Sequence, residues 1–122
     1  MNDSYSVMYE MAEQIASNVD VDGTVSDDGM RLDLAMIVTI LTTVFPLLFD
    51  MPCFNGKSPK ERQDQLVRHP NLARAIMASK LRREAKNWTR KQSFAVADSA
   101  LDQFVSLPPA RLEAFSKACL NP

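Results

Sequence analysis

Asn18, Asp20, Asp22 and Ser26 put oxygen-bearing side chains at alternate or near-alternate positions of the stretch NVDVDGTVSDDG, and Asp27 and Asp28 prolong the run. A hard cation such as calcium gathers roughly six to eight oxygens, and alternation through a tight loop is one way to turn several of them inward. Gly23 stands where such a loop needs its sharp bend, and Val25 offers an apolar anchor. Asn18, Asp20, Asp22, Ser26, Asp27 and Asp28 are therefore the candidate ligands of a weak calcium site, and no other cofactor is expected. The competing reading is a solvated turn, because Asx residues and glycine build turns, and aspartates cap helices, for reasons unrelated to metal.

Asn18, Asp20, Asp22 and Gly23 follow the register of the pattern D-x-[DN]-x-[DN]-G, so the segment resembles an EF-hand loop. The acidic connection DVDGTVSDDG, lying between an amphipathic and an apolar helix, also resembles the tellurite-resistance TerB-like family over residues 10–45. That resemblance implies an all-helical fold and metal held by Asp20, Asp22, Asp27 and Asp28. Both families place a glutamate after these acids. Here Gly29 stands in its place, which removes the bidentate ligand.

A second group has the opposite sign. Arg82, Arg83, Lys86 and, if the helix carrying them continues, Arg90 fall on the side away from Met77, Leu81 and Trp88, with Lys91 adjoining. Such a ridge can lie along phosphates, or be a solvated face or the inside partner of the acidic half, and Trp88 in KNWTRKQ supplies an aromatic able to stack on a base. Trp88 is also in phase with the apolar stripe, which favours a packed ring. Catalytic chemistry has little to build on: His69 precedes a proline at a helix junction, Cys53 and Cys119 lie in apolar contexts expected of buried inert thiols, and no phosphate loop or nucleophile motif is present. A non-enzymatic protein is expected.

The elements that position these groups are helical. At 46% apolar and 24% charged, the 122 residues have the balance of one globular domain spanning 1–122, and three glycines with seven methionines favour helix over strand. A first helix runs from about Ser4 to Asn18, burying Val7, Met8, Met11 and Ile15. The second, about 29–49, is the centre. Leu34, Ile37, Leu41, Val44 and Leu48 share one face, and Thr39, Thr42 and Thr43 with Ala35 and Met36 make the opposite one, so nearly the whole circumference is apolar or small, as a helix wrapped by others requires. Pro46 is expected to kink or end it.

Residues 34–49 carry no charge, yet sixteen helical residues reach roughly 24 Å against the ~30 Å hydrocarbon core of a bilayer. A buried helix, not a membrane span, is expected. Ser58-Pro59-Lys60-Glu61 starts a third helix that stops before His69-Pro70. A fourth covers about Asn71 to Trp88. Thr89 with Gln92 forms a capping box for a fifth with the stripe Phe94, Ala97, Leu101 and Phe104, and Pro108-Pro109 opens a sixth. The expected fold is all-α, a compact bundle of about six helices around the central apolar one.

Charge divides this bundle unevenly. Residues 1–56 hold nine acids against Arg31 alone, whereas residues 57–91 hold eleven bases against Glu61, Asp64 and Glu84. Oppositely charged patches steer association and fix its register. With no basic region followed by an apolar run in MNDSYSVMYEMAEQ, no secretory signal is expected and the cytoplasm is the expected compartment. The sequence thus points to an interaction or assembly module that meets itself, as an oligomer, or another protein, with nucleic-acid binding through residues 80–91 and cation binding through residues 18–28 as the alternatives.

Overall fold

The computed structural model describes residues 3–19 and 34–120, and these form six α-helices and no strand. They are α1 (Asp3–Asn18), α2 (Leu34–Phe49), α3 (Pro59–Arg68), α4 (Pro70–Glu84), α5 (Arg90–Ser106) and α6 (Pro109–Leu120), with a short 3-10 turn at Pro52–Phe54. The all-α bundle expected from the sequence is the observed fold. Residues 20–33, which hold Asp20, Asp22, Ser26, Asp27, Asp28 and the expected first turn of α2, lie outside the described residues.

Helix α2 packs on α1, α4 and α6, while α5 lines the other side of the bundle against α4, α1 and α3. Its apolar content drives this placement. Ile37, Leu41, Val44, Phe45 and Leu48 are fully buried. Phe45 sits 4.9 Å edge-on from Phe115 and 5.6 Å from Phe104, and Phe49 lies 5.2 Å from Phe104, so one aromatic cluster ties α2 to α5 and α6. Such ring pairs add about 0.5–1.5 kcal/mol each beyond the area they bury. Among the described residues no helix is long and apolar enough to cross a membrane.

One expectation for α2 needs correction, and another is narrowed. It is not wrapped on all sides: Ala35, Met36, Thr39, Thr43 and Leu47 are exposed. The Thr39 hydroxyl donates to the Ala35 carbonyl, and the Thr42 and Thr43 hydroxyls both donate to the Thr39 carbonyl, so this face satisfies its polar groups within the helix and needs no cover. Pro46 does not end the helix, which continues to Phe49, with the Asp50 amide donating to the Pro46 carbonyl at 3.1 Å.

The later helices are fixed by local signals. The Ser58 hydroxyl accepts from the Glu61 amide, and the Glu61 carboxylate reaches back to the Lys57 amide at 3.2 Å. Gly56 lies so close to this turn that a β-carbon there would stand 2.7 Å from Glu61 Cβ and 2.9 Å from Gln65 Oε1, the atom that accepts the Gly56 amide. Gln63 is buried, and its amide donates to the carbonyls of Phe104 at 2.8 Å and Leu107 at 3.1 Å, joining α3 to the end of α5. Those carbonyls lie at the α5 terminus, where the Leu107 amide also donates to the Phe104 carbonyl at 3.2 Å, so Gln63 completes the satisfaction of a helix end.

Candidate functional site

Helices α4 and α5 fold back on each other through five residues. Helix α4 stops at Glu84, four residues before the expected end at Trp88, because Ala85 leaves helical geometry while its amide still donates to the Leu81 carbonyl at 2.8 Å. The next helix then starts at once. The Thr89 hydroxyl accepts from the Gln92 amide and the Gln92 side chain accepts from the Thr89 amide, a complete capping box. Arg90 therefore lies in the first turn of α5, not on a continued α4. The antiparallel return still brings it to Arg82 and Arg83.

These three arginines line one trough of about 460 Å³ whose floor is small, made by Ala75, Ala78 and Ser79, and whose α5 wall is Phe94. Lys86 and Lys91 are exposed at the same end of the hairpin but do not line the trough. Among the described residues none of these five cations has an ion pair; the pairs that form are Lys60 with Asp64, Arg74 with Asp98, and Arg111 with Glu10. Exposed guanidiniums present rigid forks of donors that match carboxylate or phosphate oxygens two at a time.

Backbone electrostatics sharpen the site. Arg82 and Arg83 occupy the last turn of α4, where the negative end of the helix dipole favours cations. Arg90 and Lys91 occupy the first turn of α5, which holds no acid, so two cations sit at the positive end of a dipole. Each such placement is unfavourable by about 0.3–1 kcal/mol. An anion beside the α5 end would offset that repulsion, whereas the carbonyl end of α4 is already matched by Arg82 and Arg83.

The aromatic groups behave differently from a base-stacking platform. Trp88 is 7% exposed and packed in the core, as its phase in the sequence suggests. Phe94, expected in the buried stripe, is only half-buried, and its ring is covered by the Arg74 guanidinium at 4.5 Å and the Arg90 guanidinium at 5.6 Å. Arg74 is held there by Asp98, its Nε donating at 2.6 Å. Phe94, Ser79 and the two alanines were the parts of this site that the sequence did not announce; their signal is the short spacing of small residues along α4 opposite a lone aromatic.

The other chemistry-bearing residues do not gather. Asn18, at the end of α1, donates from its amide to the Ser99 hydroxyl at 3.3 Å, and the remaining residues of the acidic loop lie outside the described residues. Among the described residues no three His, Cys, Asp or Glu side chains come together as a metal site would need. His69 is exposed at the α3–α4 junction, its amide donating to the Gln65 carbonyl. Cys53, expected buried, is exposed: the tight turn at Pro52–Phe54 directs Phe54 inward and leaves the thiol outside. Cys119 is buried against the Leu41 carbonyl, and that burial pushes its thiol pKa up from 9.0 to about 12. A further hollow of about 410 Å³ between α1 and α5–α6 has its one cation, Arg111, paired with Glu10, while Glu13 on the same wall has no ion pair among the described residues. Comparison with known proteins finds no family model, no curated protein and no solved structure that matches this chain.

Proposed function

We propose that the protein is a non-enzymatic cytoplasmic docking module whose α4–α5 basic face receives a carboxylate-rich surface of another protein or of a second copy of itself. The observation that carries this reading is the convergence of Arg82, Arg83 and Arg90 on one trough without an ion pair among the described residues. Lys86 and Lys91 widen the positive field around it. The excess of acids in residues 1–56 supports self-association as one form of the same chemistry.

Nucleic-acid binding is the alternative, and the aromatic groups favour it less. Trp88 is packed inside, and Phe94 is half-buried with the Arg74 and Arg90 guanidiniums against its ring, so neither is a fully exposed platform for a base. A direct comparison tests the reading: a fluorescent 16-residue glutamate-rich peptide and an oligonucleotide of equal charge are titrated with the whole protein by anisotropy. The peptide is expected to bind, more weakly as salt rises, and to lose binding in Arg82→Glu/Arg83→Glu/Arg90→Glu. Tighter binding of the oligonucleotide, or no binding of the peptide at low salt, sinks the proposal. Light scattering at low and high salt then reports whether the partner is a second copy.

A further inference from the structure

The trough does not stop at its arginines. The antiparallel α4–α5 pairing runs from Arg74 opposite Asp98 to Arg82 and Arg83 opposite Arg90, and before Pro70 the end of α3 carries the same seam on, with Leu66 and Val67 beside Val105. From Pro70 to Arg83 the seam is about 20 Å long at helical rise. At the end away from the arginines it opens into a second hollow of about 400 Å³, walled by Leu66, Val67, Ala73, Leu101 and Val105. Val67 stands 63% exposed at its edge, and Asp102, an exposed acid without an ion pair among the described residues, lies on the rim. The Arg74–Asp98 pair joins the two hollows and carries no net charge.

We infer that the α4–α5 seam is a two-part docking track for an amphipathic helical segment of a partner protein, with apolar anchors and a basic residue at one end and carboxylates at the other. The inference rests on the proposed role of the basic face and adds the chemistry and order of what that face receives. Charge complementarity decides the occupant. Unpaired guanidiniums at one end call for carboxylates, Asp102 at the opposite end calls for a cation, and the apolar walls beside Asp102 call for aliphatic side chains. A helix of about fourteen residues spans the track, and a row of side chains three and four residues apart reaches both hollows. The small floor made by Ala75, Ala78 and Ser79 lets such a helix approach closely. A nucleic acid fits the arginines but leaves the apolar end bare.

The test uses two synthetic 16-residue peptides of identical composition against the whole protein. One has leucines with a lysine in one half and glutamates in the other; in the second the same residues are interspersed. A glutamate-only peptide and an oligonucleotide of equal charge complete the set. The ordered peptide is expected to bind about tenfold more tightly than the interspersed one, the size of effect that burying one or two aliphatic side chains gives. Val67→Asp should remove most of that advantage while leaving the glutamate-only peptide unaffected, and Asp102→Lys should weaken the ordered peptide alone; both positions are exposed, so neither change disturbs the core. Equal affinity of the two peptides, with the glutamate-only peptide still bound, overturns the two-part track and leaves the basic face standing. Failure of every acidic peptide overturns both, and so does preference for the oligonucleotide. Light scattering that shows a second copy seated on the track, blocked by Val67→Asp, overturns the assignment to a separate partner.

Discussion

Helix α2 and the α4–α5 hairpin occupy the same bundle but differ in the size of the side chains that they bury. Helix α2 buries Leu41 and Leu48 and brings Phe45 and Phe49 into an aromatic cluster with Phe104 and Phe115. The hairpin interleaves small buried residues, Ala73, Ala78, Ala97 and Ala100, with larger ones, Met77, Leu81, Val96, Leu101 and Phe104. Large core residues hold a helix by volume. Small ones hold two helices by closeness, and leave the outer rim of each helix free for arginines that the core does not use. The difference teaches that the stabilising core and the exposed cations are separated in this molecule, one lodged around α2 and the other along the outside of the hairpin, where the proposed docking face lies.

The strongest way to break that contrast is Phe45→Ala. Phe45 is fully buried and touches three other rings, so the change should destabilise the protein by about 3–5 kcal/mol, read as a fall in the urea midpoint. A loss below that of the hairpin variants would show that the aromatic cluster is not the centre of the fold. In the hairpin the sensitive direction is reversed. Ala97 is fully buried, and Ala97→Leu should cost about 1–3 kcal/mol by overpacking. Stabilisation by this substitution would mean that α5 is held by something other than close approach.

The start of α5 comes next. Thr89→Ala removes the acceptor for the Gln92 amide and should cost about 1 kcal/mol. Smaller still is the effect expected of Arg82→Ser with Arg90→Ser. Both side chains are exposed and make no ion pair among the described residues, so stability should stay within about 0.5 kcal/mol of the parent while acidic-peptide binding is lost. A large fall in melting temperature would return these arginines to the structural half of the comparison.

How much of this was legible in the sequence depends on which signal carried it. Caps are local, so Ser58-Pro59, Thr89 with Gln92, and Pro108-Pro109 placed the starts of α3, α5 and α6 correctly. Periodicity located the buried residues of α4 but overran its end, because Leu81, Ala85 and Trp88 are all buried although the backbone leaves the helix at Ala85. A count of apolar residues made α2 seem wrapped on every side, and missed that threonine hydroxyls bonded to their own helix can face water. The cations at residues 82–91 were visible, but not their convergence. That depends on a reversal of the chain at residues 85–89, which sets Arg90 beside residues on the preceding helix and draws in Phe94 and Ser79. Cys53 was misplaced for the same reason, since a three-residue turn decides which of its side chains points inward.

The two thiols offer the finest probe of the sealed core around α2. Cys119 lies against Leu41 with its pKa raised to about 12, whereas Cys53 is exposed. A thiol reagent at pH 8 should therefore modify one cysteine rapidly in the native protein and the second only after denaturant is added, because the thiolate is the reactive form. The same shift sets a sign for stability. Burial favours the protonated thiol in the folded state, so the contribution is fully present below about pH 9, where the unfolded chain also keeps its proton, and declines as the pH rises from 9 toward 12 and the unfolded thiol ionises first. Cys119→Ala should flatten that part of the alkaline decline, leaving the rest of the pH profile unchanged. Equal reactivity of both thiols in the native state would mean that α6 opens from α2 readily, and the contrast between a sealed core and an open hairpin surface would then fail at its firmer side.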